Sequence, residues 1–329
     1  MAPRAPLHIA LTGAAGQVGY AAAFRIAAGE MFGPDQPIVL RMLEIEPVMR
    51  QLEALEMELD DCNYPLLTDM VITSDPGEAF DNTEWVVLLG AARREAGMER
   101  ADLLKVNGEI FQHHGRAIAK HARDDVRILV VGNPCNTNCL IARTNAPDVP
   151  ADRWFAMMRL DQNRAANHLA RKAGVANGEV SNVVVWGNHS ATQYPDALNA
   201  RIDGRPAVEV IDDLQWLRGD FVRMVAQRGA AVIEARGASS AASAAKAVID
   251  SVRSIRTATE SGSFVSHAVI SHGEHGVPEG LQFGFPVRST GGGWEVVEEV
   301  QIDEFGREML RRNVDELIAE RASVSHLLT

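Results

Sequence analysis

One imidazole, one carboxylate and several guanidinium groups stand in this chain where they could manage a proton and an anion. In "VSNVVVWGNHSATQYPD", residues 180–196, an apolar run breaks at a glycine and delivers His189 among small polar side chains. An imidazole titrates near neutral pH, so it can both give and take a proton. In "RLDQNRAANHLA", Asp161 and Arg164 stand three residues apart at a helix start. The carboxylate could hold one ring nitrogen and stabilise an imidazolium, and the guanidinium could bind a second carboxylate through two parallel hydrogen bonds. A third stretch, "LLGAARREAGMERADLL", gathers Arg93, Arg94 and Arg100 around Gly97 just after a strand. Each group also has a bland reading: a helix N-cap for Asp161, a surface ion pair for Arg164, a plain loop residue for His189.

The N-terminal stretch supplies the context that weakens those bland readings. The strand "LHIALTG" runs into Thr12-Gly13-Ala14-Ala15-Gly16-Gln17-Val18-Gly19, and an alanine-rich helix follows. Gly13, Gly16 and Gly19 permit a tight turn, while the backbone amides around Gln17 and Val18 and the positive end of the helix dipole suit a pyrophosphate. Strand, loop and helix together raise this above a bare glycine motif. The spacing G-x-x-G-x-x-G departs from G-x-G-x-x-G and admits two groups, the hydroxyacid dehydrogenases of the malate type and the short-chain dehydrogenases or epimerases. The latter need a tyrosine with a lysine four residues on, to lower the phenol's pKa. Tyr20, Tyr64 and Tyr194 are followed at that offset by Phe24, Thr68 and Leu198, so the short-chain reading has no catalyst. Glu44 ends the second strand, "LRMLEIEP", where a carboxylate accepts hydrogen bonds from the adenosine ribose and repels a 2′-phosphate; NAD is therefore expected over NADP. Arg41, three positions earlier, should point to the opposite face of the strand.

These groups need a scaffold. A chain of 329 residues is long for one hydrophobic core and suggests two domains. In the first half, "LHIALTG", "PIVLRMLE", "MVITS", "EWVVLLGAA" and "VRILVVGNP" read as buried strands, alternating with amphipathic helices such as 47–59 and 99–122. That alternation implies a doubly wound parallel sheet, a Rossmann domain over 1–153. The second half, 154–329, reads as a mixed α/β (α+β) domain for substrate and dimerisation. It opens with a strand-like "WFAMMRL" and a helix over 161–172. Candidate antiparallel strands "FVSHAVIS", "GLQFGFPVRS" and "WEVVEEV" follow, the last two joined by Thr290-Gly291-Gly292-Gly293, and a helix over 304–320 comes after them. The small-residue tract "ASSAASAAKA" reads as tight helix packing.

Composition narrows the classes. A net charge of −12, from 32 basic and 44 acidic residues, disfavours nucleic acid or an anionic membrane as partner, yet leaves room for a small anion bound by a few arginines. The apolar runs are of strand length, short of the roughly 20 residues that span a bilayer, and the first residues do not read as a secretory signal. A cytoplasmic location is expected. Cys62, Cys135 and Cys139 lack metal-ligand spacing and are expected as reduced, buried thiols. No metal is expected: His267, His272, Glu274 and His275 cluster in "HAVISHGEHGVPEG", but on a turn, without the helical geometry that puts two imidazoles on one face.

With a nicotinamide carrying the hydride, the protein must supply a proton donor, a group that orients it and cations for an anionic substrate. His189, Asp161 and Arg164 fit those needs in turn. At this point the phrases "TGAAGQVGY", "GMERADLL", "VVGNPCNTN", "LDQNRA", "VWGNHSATQYPD", "RGAAVIEARGASSAASAA" and "PEGLQFGFPV" identify a resemblance. The chain resembles the NAD-dependent malate dehydrogenases, in the branch shared by cytosolic eukaryotic and many bacterial enzymes, in order from Leu7 to Leu328. The resemblance implies reversible oxidation of (S)-malate to oxaloacetate, a role in the tricarboxylic acid cycle, and a homodimer. It implies that His189 exchanges the proton with Asp161 as its partner, and that Arg164 clamps the carboxylate beside the carbonyl. Arg94 would bind the distal carboxylate and Arg100 would polarise the carbonyl, on a loop that closes. Asn133 would meet substrate and cofactor, and Asn107, Val131 and Gly132 would contact NAD. Adjacent Arg93 and Arg94 leave open which of them faces the substrate, and no role is assigned to His114, where relatives often have glutamine. A second cation is what a dicarboxylate needs, because an unpaired carboxylate in a dry site costs several kcal/mol. A lactate or other 2-keto acid dehydrogenase, or an NAD-binding module without catalysis, remains the alternative.

Overall fold

The computed structural model describes residues 4–92 and 100–328, the side chains of 100–103 excepted. The chain divides into two units: Met1–Ala156 with Ala241–Val252 and Arg321–Thr329, and Met157–Ser240 with Arg253–Glu320. The first break lies just past the expected boundary at Arg153. In this division residues 241–252 and 321–329 group with the first unit.

The first unit alternates β1 (Leu7–Thr12), α1 (Gln17–Ala27), β2 (Ile38–Leu43), α2 (Met49–Asp61), β3 (Leu67–Thr73), α3 (Pro76–Phe80), β4 (Trp85–Leu88), α4 (Arg100–His121), β5 (Arg127–Val130), α5 (Cys135–Thr144) and β6 (Trp154–Ala156). Its strands run in the order β6-β5-β4-β1-β2-β3, with every pairing parallel. β2 and β4 are buried along their whole length, as helices covering both faces of a parallel sheet require. Successive strands step outward from β1 in opposite directions, to β2 and β3 on one side and to β4, β5 and β6 on the other. The carboxyl ends of β1 and β4 therefore flank the switch point where such sheets hold ligands. Residues 325–327 also pack here: the Leu327 carbonyl accepts hydrogen bonds from Asn145 Nδ2 at 2.7 Å and Gln112 Nε2 at 3.3 Å. Two expectations shift. Of "WFAMMRL" only Trp154–Ala156 is a strand, and Cys62, at the end of α2, is exposed while Cys135 and Cys139 are buried. Cys62 is the C-cap residue of its helix, one position past the end of α2, although its spacing continues the apolar stripe of Leu52, Leu55 and Leu59.

The second unit contains α6 (Arg159–Ala173), β7 (Val180–Ser181), β8 (Val184–Trp186), β9 (Tyr194–Asp196), β10 (Arg201–Ile202), β11 (Arg205–Pro206), α7 (Ala207–Ile211), α8 (Leu214–Arg218) and α9 (Asp220–Arg236). After α10 (Ala242–Arg256), which the unit boundary divides, come β12 (Val265–Ile270), β13 (Gln282–Ser289), β14 (Trp294–Val296) and α11 (Glu304–Ser323). β12, β13 and β14 pair antiparallel, and Gly291 takes the left-handed conformation, φ +83°, in the expected turn. Ala165 and Leu169 of α6 pack with Val183 and with Phe221 and Val225 of α9. Of the apolar run, Val184–Trp186 is the strand β8. It forms an antiparallel hairpin, β8 with β9, and His189 lies in the connecting loop. The fold is thus α/β, a doubly wound, mostly parallel sheet unit with a mixed α+β unit.

Candidate active site

In the first unit the glycine turn is shaped by close approaches. Gly13 has φ +65°, and a Cβ there would come within 2.8 Å of the Gly90 Cα at the end of β4. On Gly19 a Cβ would lie 2.4 Å from the Gly13 carbonyl oxygen, so only glycine lets α1 close onto the turn. Gly16 caps α1 without a side-chain hydrogen bond, which leaves the first-turn amides at Gln17, Val18 and Gly19 without a side-chain acceptor. Glu44 stands beside them: its Oε1 accepts from the Ala15 amide at 3.1 Å and its Oε2 from the Ile45 amide at 3.3 Å. Burial pushes its carboxyl up, against the pull of backbone N–H groups at Ile45, Ala15 and Gly16. Arg41 is turned elsewhere, donating to the Glu78 carbonyl through Nη2 at 2.7 Å and facing Asp81 at 3.7 Å. Amides for a pyrophosphate and a carboxylate for a ribose diol therefore meet at the neighbouring ends of β1 and β2, and these residues fit NAD.

The next strand ends are tied down around this turn. Val131 and Gly132 both donate to the Leu88 carbonyl, at 2.9 and 3.0 Å, and the Gly132 carbonyl accepts from Asn138 Nδ2 at 2.9 Å. Asn107 is fully buried; its Oδ1 accepts from the Ala92 amide at 2.7 Å and its Nδ2 donates to the Asn133 carbonyl at 3.0 Å. Both ends of its amide are engaged with backbone, so it joins the loop after β4 to the loop after β5. His114 sits edge-on to Phe80 and Phe111, where burial, with His113 adding to it, pushes its imidazole down to about 4. It is a neutral core residue.

In the second unit the three chemical groups converge. Asp161 lies in the first turn of α6 and is wholly buried. Its Oδ2 is 2.8 Å from His189 Nε2, and its Oδ1 is 2.9 Å from Arg164 Nη1 and 3.3 Å from Gln193 Nε2. Burial alone would raise this carboxyl, but His189 and then Arg164 outweigh it and hold the group below the usual carboxylate range. The helical offset of three residues brings Asp161 and Arg164 to one face. Arg164 Nη2 donates to Ser240 Oγ at 3.2 Å.

The loop bearing His189 is held by α11, far away in sequence. Asn313, fully buried, accepts from the Asn188 amide through Oδ1 at 2.9 Å and donates through Nδ2 to the Thr192 carbonyl at 2.7 Å. Glu316 Oε2 accepts from Asn188 Nδ2 at 3.0 Å, Ser190 Oγ at 2.6 Å and Thr192 Oγ1 at 2.5 Å. At the base of the loop, Gly187 exchanges backbone hydrogen bonds of 3.0 and 2.8 Å with Gly284 of β13.

Sequence reasoning missed Gln193, Ser240, Asn313 and Glu316. Only Asn313 left a signal, as a polar residue between Leu310 and Leu317 on the apolar stripe of its helix. Arg93 and Arg94 lie outside the described residues, as does the Arg100 side chain. The histidine cluster has other duties: His267 is buried and hydrogen-bonded to Ser254 Oγ at 2.9 Å, and His275 packs against Trp186 with ring centroids 5.0 Å apart. Among the described residues no group of three or more His, Cys, Asp or Glu could hold a metal, and no helix is long and apolar enough to cross a membrane.

Comparison with known proteins fits this geometry. A family model described as the lactate/malate dehydrogenase NAD binding domain matches residues 7–155, and one for the alpha/beta C-terminal domain of the same family matches residues 158–327. Malate dehydrogenase from Naegleria fowleri ATCC 30863 is 42% identical, with 98% of this chain and 99% of that one covered and a TM-score of 0.95. An apo lactate dehydrogenase variant from Trichomonas vaginalis is 35% identical over 99% of both chains, with a TM-score of 0.93. Trichomonas vaginalis lactate dehydrogenase in complex with NADH and oxamate is 34% identical over 98% of this chain and 99% of that one, also with a TM-score of 0.93. Fold and family together define an oxidoreductase whose cofactor is NAD. The chain belongs to the lactate/malate dehydrogenase family.

Proposed function

We propose that this chain reversibly oxidises (S)-malate to oxaloacetate with NAD. The observation that carries a 2-hydroxy acid reaction is the buried Asp161 carboxylate shared between His189 and Arg164. Bound NAD supplies the hydride acceptor. The ring nitrogen of His189 opposite Asp161 takes the proton of the substrate hydroxyl, and Asp161 stabilises the resulting imidazolium. In the reducing direction the imidazolium returns that proton to the nascent alkoxide. A guanidinium has five N–H donors, so Arg164 can bind the substrate carboxylate beside the carbonyl in addition to Asp161 and Ser240. Glu44 and the amides of the glycine turn hold the cofactor, and Asn107 keeps Asn133 in place.

Malate rather than lactate is supported by the Arg93-Arg94 pair, one of which would pair with the distal carboxylate, and by the identity to the Naegleria enzyme. The likeness to Trichomonas lactate dehydrogenases favours pyruvate as the second reading. Steady-state oxidation of NADH with oxaloacetate and with pyruvate separates them. A higher kcat/KM for oxaloacetate is expected; a preference for pyruvate overturns malate, and bound NADH without turnover on either leaves a non-catalytic module. A homodimer, which rests on the resemblance, and a cytoplasmic location belong to the same proposal; sedimentation velocity tests the first.

A further inference from the structure

The loop 187–193 contains one residue able to move a proton, and it has little regular structure of its own. Ties from β13 and α11 fix it, with Asn188 Nδ2 donating also to Glu320 Oε1 at 3.1 Å. Gly187 pairs with Gly284, Asn313 bonds both limbs of the loop, and Glu316 gathers three side-chain donors from Asn188, Ser190 and Thr192. Gly187 has φ +92°, and a Cβ there would fall 2.1 Å from Asn313 Oδ1. The glycine that ends the apolar run thus makes room for the Asn313 amide. Asn313 is itself anchored, its Nδ2 donating also to the Met309 carbonyl of its own helix at 2.9 Å. The hydrogen bonds of α11 thus hold the loop both by its backbone, at Asn188 and Thr192, and by the side chains of Asn188, Ser190 and Thr192.

We propose that Asn313 and Glu316 are positioning residues for His189. They set the register of residues 188–192 so that the imidazole meets Asp161, and they touch neither substrate nor cofactor. The proposal rests on His189 being the proton carrier. A loop loosened by an ångström would leave the imidazole in place on average but misaligned for transfer, and a misplacement of that size costs up to about a hundredfold in rate.

The test is the single-turnover rate of NADH oxidation with whichever of oxaloacetate or pyruvate the wild-type chain reduces. Asn313→Leu and Glu316→Leu, similar in volume to the residues they replace, should slow that rate about tenfold to a hundredfold. The Kd for NADH, which is held in the other unit, should stay as in the wild type. Glu316→Gln keeps an acceptor for the two hydroxyls and should recover most of the rate. A role in stability alone predicts the reverse: a lower melting temperature, an unchanged rate for the folded fraction, and no difference between leucine and glutamine at 316. That result overturns the proposal. Should Asn313→Leu fail to fold, the Glu316 pair decides by itself, since that side chain is only partly buried. His189→Asn separates the two levels. If it turns over like the wild type, the proton-carrier reading fails. If it is inactive while the α11 variants are as fast as the wild type, only the positioning role fails.

Discussion

His189 and Asp161 meet at 2.8 Å, the first on a hairpin loop and the second in the opening turn of a helix whose carboxylate water does not reach. A carboxylate so placed fixes the ring's orientation. The other oxygen of that carboxylate, Oδ1, faces Arg164 at 2.9 Å, so the charge balance of the site passes through one side chain.

Asp161→Asn should therefore do more than remove a charge. The amide leaves Arg164 without its anionic partner and the imidazolium without its stabiliser. Turnover is expected to fall by about a hundredfold to ten-thousandfold, the range for loss of assisted proton transfer. NADH binding, followed by protein-to-cofactor energy transfer, should persist. Turnover within a few-fold of the wild type would contradict the relay.

Glu44 bonds the Ala15 amide within the glycine turn, and on the proposed reading its charge repels a 2′-phosphate. Glu44→Ser removes that repulsion. The kcat/KM for NADPH should rise about tenfold or more, consistent with one like-charge contact worth 1–2 kcal/mol near the surface. The Kd for NADH should weaken, because the ribose diol loses an acceptor. A parallel loss for both cofactors would mean Glu44 has only a structural role in the turn.

Arg94→Gln should cost oxaloacetate about a hundredfold in kcat/KM and pyruvate far less, since a charge-assisted pair to one carboxylate is worth about 3 kcal/mol. Arg93→Gln made in parallel identifies which of the adjacent guanidinium groups reads the dicarboxylate. Equal losses on both keto acids from either variant would point to damage to the loop.

Stability should fall on the acid side of neutrality for a reason outside the active site. Burial pushes His114 down to about 4 and His267 down to about 3, with His113 and Arg159 adding to the respective shifts. Both rings stay neutral in the native state while the unfolded chain takes up protons below about pH 6.5. Their contribution is complete above that pH and is lost progressively as pH falls toward the native values. Melting temperatures between pH 7.5 and 5 should decline, and His267→Gln should flatten part of that decline. An unchanged slope would assign the acid sensitivity to other groups.

The parts of this structure that were legible in the sequence are local ones. The glycine turn announced itself because tight turn, strand and helix are adjacent along the chain, and Asp161 and Arg164 did so because helical spacing is fixed. β9 was hidden because Pro195 argues against a strand, although a two-stranded hairpin leaves an edge that tolerates it. The hold of α11 on the His189 loop joins residues more than a hundred positions apart, and no periodicity encodes that. Asn313 was visible only as a polar intrusion on an apolar stripe. Cys62 was misplaced for the converse reason: its composition suggested burial, while its position beyond the last turn of α2 exposed it.

The packing of Leu327 against the first unit has a bearing on how the protein is made. Asn145 and Gln112 give hydrogen bonds to its carbonyl, and its side chain lies against Gly108. On a ribosome, the cofactor-binding half emerges first but remains unfinished until the whole catalytic half has been synthesised.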